Sequence, residues 1–253
     1  MRLLYPKLLP FLLLLTLVSC NKKDPKPEEQ ANKKLTKIIN VDLTTGAETT
    51  LWEFTYNPNN QISTAVGGDG RFVLTYDAGG RLSGIAKTYN FDNITSTFSF
   101  EYDGQGRRTR QTEVMKYGNA PNVVTNVNTF EYDNNNRRTK WVRNSTTFEY
   151  VWSGENVTEL KMNESGVRTY VYQNPLYDNK HNQFYDRADE LETIGFLFAR
   201  CKNNSLGETT INPDGSTSTS TIARNYNSLG YPTEATFSSA GKVTSKIKYY
   251  YAP

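Results

Sequence analysis

The chain is poor in the residues that usually carry chemistry. It has two cysteines and one histidine in 253 residues, and no His, Cys, Asp or Glu cluster with metal-ligand spacing accompanies His181, which reads as a hydrogen-bonded structural histidine. Neither a Gly-x-Ser-x-Gly elbow nor a locally supported Cys-His pair is found, so the usual nucleophilic triads have no foothold. Gly67-Gly68-Asp69-Gly70 has no following Lys and opens no helix, which leaves a hairpin tip rather than a phosphate loop. No charge of one sign dominates. There are 29 basic and 26 acidic residues, two of the basic ones (Arg2 and Lys7) precede the first apolar run, and nothing in such a balance recruits nucleic acid. That apolar run is itself too short and wrongly flanked for a stable transmembrane helix.

What the chain has in abundance is aromatic residues, with 17 Tyr and 12 Phe, set in a short phrase that recurs. An aromatic residue is followed by Asn, Asp or Ser, two variable residues, and Gly or Asn. The phrase begins at Tyr56, Tyr76, Tyr102, Tyr132, Trp152, Tyr226 and Phe237. Each copy reads as a hairpin turn. The short polar side chain at the first turn position (Asn57, Asp77, Asp103, Asp133, Asn227) bonds the backbone two residues on. The residue at the fourth (Asn60, Gly80, Gly106, Asn136, Gly230) tolerates positive φ, as a type I turn with a bulge requires. Before the turns apolar residues alternate, as in Trp52, Phe54, Tyr56 and Phe98, Phe100, Tyr102, while Thr55, Thr75, Glu101, Glu131 and Glu149 take the other face. After the turns come Arg81-Leu82, Arg107-Arg108 and Arg137-Arg138, leading into returning strands.

The fold expected is therefore mainly β, an antiparallel hairpin meander forming a curved sheet or open barrel. The phrases from Tyr56 to Trp152 are spaced by 20, 26, 30 and 20 residues, too uneven for a strict solenoid. One segment breaks the pattern. Leu191, Ile194, Leu197, Phe198 and Cys201 recur at helical spacing, Asp186 and Asp189 sit where an N-cap belongs, and a single amphipathic helix is predicted near 186–201, packed on the concave aromatic face. Gly195 weakens it by about 1 kcal/mol relative to alanine.

The N-terminus carries Arg2 and Lys7, an almost wholly apolar run from Leu8 to Val18, and Leu17-Val18-Ser19-Cys20. This is a secretory signal, and its ending resembles the lipobox of bacterial lipoproteins. The resemblance implies cleavage before Cys20 and lipidation of Cys20. The expected organisation is a signal peptide at 1–19, a lipidated cysteine and polar tether at 20–34, and one β domain at 35–253. No Asp follows Cys20 directly, which favours the outer membrane of the cell envelope. With Cys20 lipidated, Cys201 lacks an intrachain partner and reads as a small buried hydrophobe.

The Tyr-Asp-x-x-Gly-Arg phrases at Tyr76 and Tyr102 resemble the YD repeats of Rhs and teneurin-type proteins, whose hairpins coil into shells. A second resemblance runs through Tyr177-Asp178-Asn179-Lys180-His181-Asn182, Lys202-Asn203-Asn204 and Tyr226-Asn227-Ser228-Leu229-Gly230-Tyr231-Pro232-Thr233. Their order is similar to that of a Bacteroidota lipoprotein family of unknown function described as having a porin-like fold. Gln183 stands where that family usually carries Pro. A spanning barrel would need nine to eleven residue strands with an outward apolar face. The Thr, Ser, Glu and Arg opposite the aromatic face favour a soluble, tethered domain instead.

The function expected is non-enzymatic: a scaffold or binding module with no cofactor, contacting the membrane through its lipid alone and meeting an envelope protein or a glycan. A carbohydrate-binding accessory is the alternative, and a glycoside hydrolase, needing two placed carboxylates, a distant third. Trp141 is the ligand-binding candidate, because it shares parity with Arg137, Thr139 and Arg143 and so reads as a ring on the wet face. Local packing beneath a loop is the favoured reading of the ring, since single exposed aromatics are common.

Overall fold

The computed structural model describes residues 34–252 apart from 92, 119–122, 175 and 197–199. The lipobox-like segment, Cys20 and nearly all of the expected tether lie outside them. Strands run as hairpins: β1 (Leu35–Val41), β2 (Glu48–Tyr56), β3 (Ile62–Gly67), β4 (Gly70–Tyr76), β5 (Leu82–Tyr89), β6 (Ile94–Tyr102), β7 (Arg108–Tyr117), β8 (Val123–Tyr132), β9 (Arg138–Arg143), β10 (Thr146–Ser153), β11 (Asn156–Glu164) and β12 (Arg168–Gln173). An insertion carries β13 (Tyr177–His181), a 3-10 turn (Tyr185–Arg187), α1 (Ala188–Thr193) and β14 (Asn203–Ser205). The meander then resumes with β15 (Gly207–Ile211), β16 (Thr217–Tyr226), β17 (Pro232–Ser239) and β18 (Lys242–Tyr251). Every pairing is antiparallel, and the sixteen strands outside the insertion close into a barrel through β1 and β18, from Leu35↔Tyr251 to Val41↔Lys246.

Closure follows from the repeated phrase. At five turns the backbone closes as a type I turn, with Gly80 N–H donating to Asp77 O at 3.0 Å and the same bond at Asn60, Gly106, Asn136 and Gly230. The fourth residues lie at φ +62 (Asn60), +79 (Gly80), +79 (Gly106), +61 (Asn136) and +81 (Gly230). Each turn leaves a register shift just before its aromatic residue, between Thr55 and Tyr56, Thr75 and Tyr76, Glu101 and Tyr102, Glu131 and Tyr132, and Asn225 and Tyr226. Bulges bend a strand and raise its twist, and repeated along one end of a meander they coil it until its edges meet, which leaves no edge to protect. Two copies depart from the phrase as read. Gly154-Glu155 is a two-residue turn between β10 and β11, and Ala240-Gly241, both at positive φ, turns at the opposite end of the barrel.

The aromatic residue and the arginine of the phrase have separate jobs. Tyr56, Tyr76, Tyr102 and Tyr132 each donate a hydroxyl to the first carbonyl of the hairpin before, at Leu35 (2.8 Å), Ile62 (2.8 Å), Leu82 (2.6 Å) and Arg108 (2.8 Å). Trp152 Nε1 does the same to Arg138 O at 2.6 Å, and Tyr251 closes the ring on Pro232 O at 2.7 Å. Arg81 and Arg107 fold back on Asp77 and Asp103, Nε to Oδ2 at 2.8 and 2.7 Å, and lie over the next hairpin's ring, 5.1 Å from Tyr102 and 5.2 Å from Tyr132. Backbone bonds from Arg81 and Arg107, with the guanidinium bonds added, hold Asp77 and Asp103 below the usual carboxylate range.

A Cβ at Gly80 or Gly106 would meet open space or only the Gln61 amide at 3.4 Å, so conformation alone sets the cost of substitution there. Valine at either position is expected to destabilise the domain by about 1–2 kcal/mol because a β-branched side chain is strained at positive φ. Asparagine is expected to be tolerated, as at Asn60 and Asn136. Thermal melts of the two variants check this, and equal midpoints for Val and Asn would contradict it.

The insertion differs from the predicted helix. α1 is six residues long and stops where Gly195 takes φ +121; of the expected stripe Leu197 and Phe198 lie outside the described residues. Leu191 and Ile194 do pack inside the barrel, against Phe54, Leu74, Ile85 and Tyr249. Cys201 is not helical. It is buried with Phe148, Tyr150, Val157 and Leu160, and burial pushes its thiol up.

Candidate functional site: the barrel lumen

Inward positions on β1 to β9 form two regions of different chemistry. On β1 to β4 and the first half of β5 they are apolar, with Ile38, Phe54, Ile62, Ala65, Phe72, Leu74, Leu82 and Ile85 all buried. Around β5 to β9 the same positions turn polar, and Lys87, Ser96, Arg108, Gln111, Glu113, Asn128 and Arg138 are buried there. The doubled arginines explain part of the switch. The second residue after each bulged turn enters the lumen, and it is Ile62 and Leu82 in two hairpins but Arg108 and Arg138 in the next two.

These two arginines meet the acidic side of α1. Arg138 Nη1 donates to Glu192 Oε2 at 2.7 Å, with side chains only 2% and 6% exposed. Arg200 Nε reaches the same oxygen at 2.8 Å and its Nη2 pairs with the half-exposed Asp189. Arg108 donates to Thr193 Oγ1 at 2.7 Å and to Asp189 O at 2.9 Å. Burial pushes the Glu190 carboxyl up, and the Tyr76 hydroxyl lies 3.3 Å from it. The arrangement neutralises charge and seats the insertion. A cavity of about 630 Å³ lies between this cluster and the turns at Asn135–Arg138 and Gly154.

On the other side of α1 lies a cavity of about 450 Å³, bounded by Glu192–Gly195 and walled by β4 to β9. Trp141 lines it. This corrects the expectation of a ring on the outer face: Trp141 sits directly opposite Phe130 and Phe148, because the bulge at Glu131/Tyr132 breaks simple alternation after the turn. Its faces are flanked by those rings, at 4.5 Å from Phe148 and 6.1 Å from Phe130, and its Nε1 donates to Asn128 Oδ1 at 3.1 Å. An edge and a positioned amide, rather than an open ring face, are what it offers. Lys87 is held by Asp69 at 2.8 Å and lies 3.7 Å from the centre of the Tyr89 ring, so the hairpin tip at Gly68-Asp69 also reaches this cavity. Asn126 donates to Glu113 Oε2 at 3.1 Å.

The residues of the second resemblance gather at the base of the insertion. Asp178 accepts from Asn204 N–H at 3.1 Å and from the Tyr226 hydroxyl, Asn204 Nδ2 donates to His181 O at 3.1 Å, and Asn203 exchanges bonds with Asn156 at 3.0 and 3.1 Å. His181 Nε2 lies 3.0 Å from Asp186 Oδ2. Their work is to tie the insertion to the barrel. The turn residues Asn57, Asp77, Asp103, Asp133 and Asn227 likewise spend a side-chain oxygen on the backbone of their own turn. Sequence reasoning missed the polar inward row of β7 and β8. Its signal was present as Arg108, Gln111, Glu113, Asn126 and Asn128, polar residues at strand positions where other hairpins place Phe or Leu.

No protein-family model and no curated protein matches the sequence. Among solved structures, a porin-like protein from Bacteroides uniformis ATCC 8492 aligns with a TM-score of 0.54 at 12% identity, covering 86% of this chain and 98% of that one. A porin-like protein from Bacteroides vulgatus ATCC 8482 aligns with a TM-score of 0.52 at 15% identity, over 87% and 99%. At such identities the likeness is one of fold, and the closed antiparallel barrel described above is the fold shared with these porin-like proteins.

Proposed function

We propose that the protein is a non-catalytic binding module of the cell envelope, tethered through an acylated Cys20 and holding a polar ligand in the cavity beside Trp141. The observation that carries this reading is the row of buried polar side chains facing that cavity, Arg108, Gln111, Glu113, Asn128 and Arg138, at inward positions where β1 to β4 place apolar residues. Polar groups facing a cavity need hydrogen-bonding partners, from water or from a ligand, and a pocket of this size with a few convergent polar groups suits a small molecule.

The outer wall supports a barrel that stands in water. Outward positions pair Lys37 with Glu53 (2.6 Å), Arg110 with Glu101 (3.8 Å) and Lys140 with Glu131 (3.6 Å). Charges at the level of a lipid-facing band cost about 2–4 kcal/mol each for Arg or Lys at the midplane. The fold is thus used inside out relative to a spanning barrel, with the aromatic rings within. The lipid is then the membrane contact, as the lipobox implies.

A glycan array probed with the full-length protein in detergent tests the reading, because hydroxyl-rich ligands match amides and carboxylates. Reproducible binding is expected, weakened about tenfold (about 1.4 kcal/mol) by Trp141→Ala, which releases Asn128 from its hydrogen bond. A blank array would turn the reading toward a scaffold acting through its outer wall. Turnover of any arrayed substrate would overturn the non-catalytic assignment.

A further inference from the structure

We propose that the cavity beside Trp141 takes a hydroxylated carboxylic acid, of the kind a uronic acid residue presents, and that Arg143 binds its carboxylate. The inference rests on the binding reading above and names the ligand class.

Three of the four cations lining the cavity have their charge answered within the protein. Lys87 is paired with Asp69, Arg138 with Glu192, and Arg108 with Thr193 and the Asp189 carbonyl, its guanidinium also lying 3.7 Å from the Asp189 carboxylate. Arg143 has no hydrogen-bond or ion-pair partner among the described residues. It sits at the end of β9, exposed at the rim, and shares an inward register row with Asn128 of β8 and Gln111 of β7. Strands lie about 4.8 Å apart, so these three side chains span about 10 Å, the dimension of one sugar ring with its substituents.

The remaining hydrogen-bonding capacity along that row is specific. Asn128, which lines the cavity, spends its oxygen on Trp141 Nε1, which leaves its amide N–H groups as donors. Asn126 accepts from Asn144 Nδ2 at 3.1 Å and donates to Glu113 Oε2, which leaves Glu113 Oε1 as an acceptor. An amide donor and a carboxylate acceptor together recognise hydroxyl groups, and a planar guanidinium recognises a carboxylate in two-pronged fashion. Glu113 stands two strands from Arg143, so a carboxylate bound at Arg143 is not placed against it.

Calorimetric titration of the full-length protein with glucuronate, glucose and acetate tests the inference. Glucuronate is expected to bind at least tenfold tighter than glucose and than acetate, and Arg143→Gln is expected to bring glucuronate down to the level of glucose. Lys161→Gln, on the outer wall, serves as the control for general charge and should keep the preference. Equal affinity for glucuronate and glucose, a preference that survives Arg143→Gln, or acetate binding as tightly as glucuronate would each overturn the acid-sugar assignment while leaving a binding cavity. Absence of binding by all three overturns this inference, and the glycan array then decides the function on which it rests: binding there keeps the cavity reading and a blank array removes it as well.

Discussion

Glu192→Ala is expected to destabilise the barrel by about 3–5 kcal/mol, the cost of stranding a buried charge when its partner is removed. Glu192 Oε2 accepts from both Arg138 and Arg200, so the truncation leaves two guanidiniums without it, one of them 2% exposed. A domain of this size loses about 2–4 °C of melting temperature per kcal/mol, which puts the expected drop well above the error of a thermal scan. The double variant Arg138→Met with Glu192→Met is expected to lose less than the two single changes summed, since removing both charges removes the desolvation cost as well. Strict additivity would mean that the pair is not coupled.

Acid should act on the same cluster. Although its side chain is half-exposed, the packed atoms around Asp189 partly desolvate its carboxyl and alone would raise it, but the charges of Arg200, Arg108 and Arg138 outweigh this and hold it at about 2. Its folded value lies below the unfolded one, near 3.9. The contribution of Asp189 is therefore complete above about pH 4 and is lost as pH falls from there through about 2. Asp189→Asn should flatten the fall in melting temperature over that interval.

Phe54→Ala is expected to cost about 3–5 kcal/mol, the range for truncating a buried aromatic residue. Phe54 is 5% exposed, stacks on Trp52 with ring centres 6.0 Å apart, and packs against Leu191 and Ile194 in the apolar part of the lumen. Gln111→Ala is the informative contrast. Gln111 points into the same lumen but borders the 450 Å³ cavity, so its removal enlarges a space already present and should cost much less. Denaturant melts compare the two, and equal losses would mean that the polar region is packed as tightly as the apolar one.

Much of the architecture can be read from local chemistry. Asp77, Gly80 and Arg81 specify their turn without reference to anything distant, because Asx bonding, positive φ and an Asp–Arg pair are all decided within five residues. The alternation of Phe98, Phe100 and Tyr102 likewise announces which face goes inward. Trp141 shows where such reading stops. Counting by twos from Arg137 put it outside, but the bulge between Glu131 and Tyr132 shifts the count by one residue, and one residue exchanges the faces of a strand. The helix expected near 186–201 is present but shorter, at 188–193, for a related reason: periodicity marks apolar residues that are buried, and Cys201 is buried with residues of β10 and β11 rather than on that helix.

The sequence by itself determined the antiparallel hairpins, their turns and the aromatic face, since each depends on contacts between residues near in the chain. Only the tertiary structure decided that the sheet closes, because closure is the sum of many small bulge-driven bends and requires β1 to find β18 across the whole chain. Only it decided that Arg108 and Arg138 meet Glu192 and Asp189 inside the barrel, and that Gln111, Asn128 and Arg143 share a row. Those partnerships join residues many positions apart whose charges and hydrogen bonds become decisive once the barrel has removed them from water.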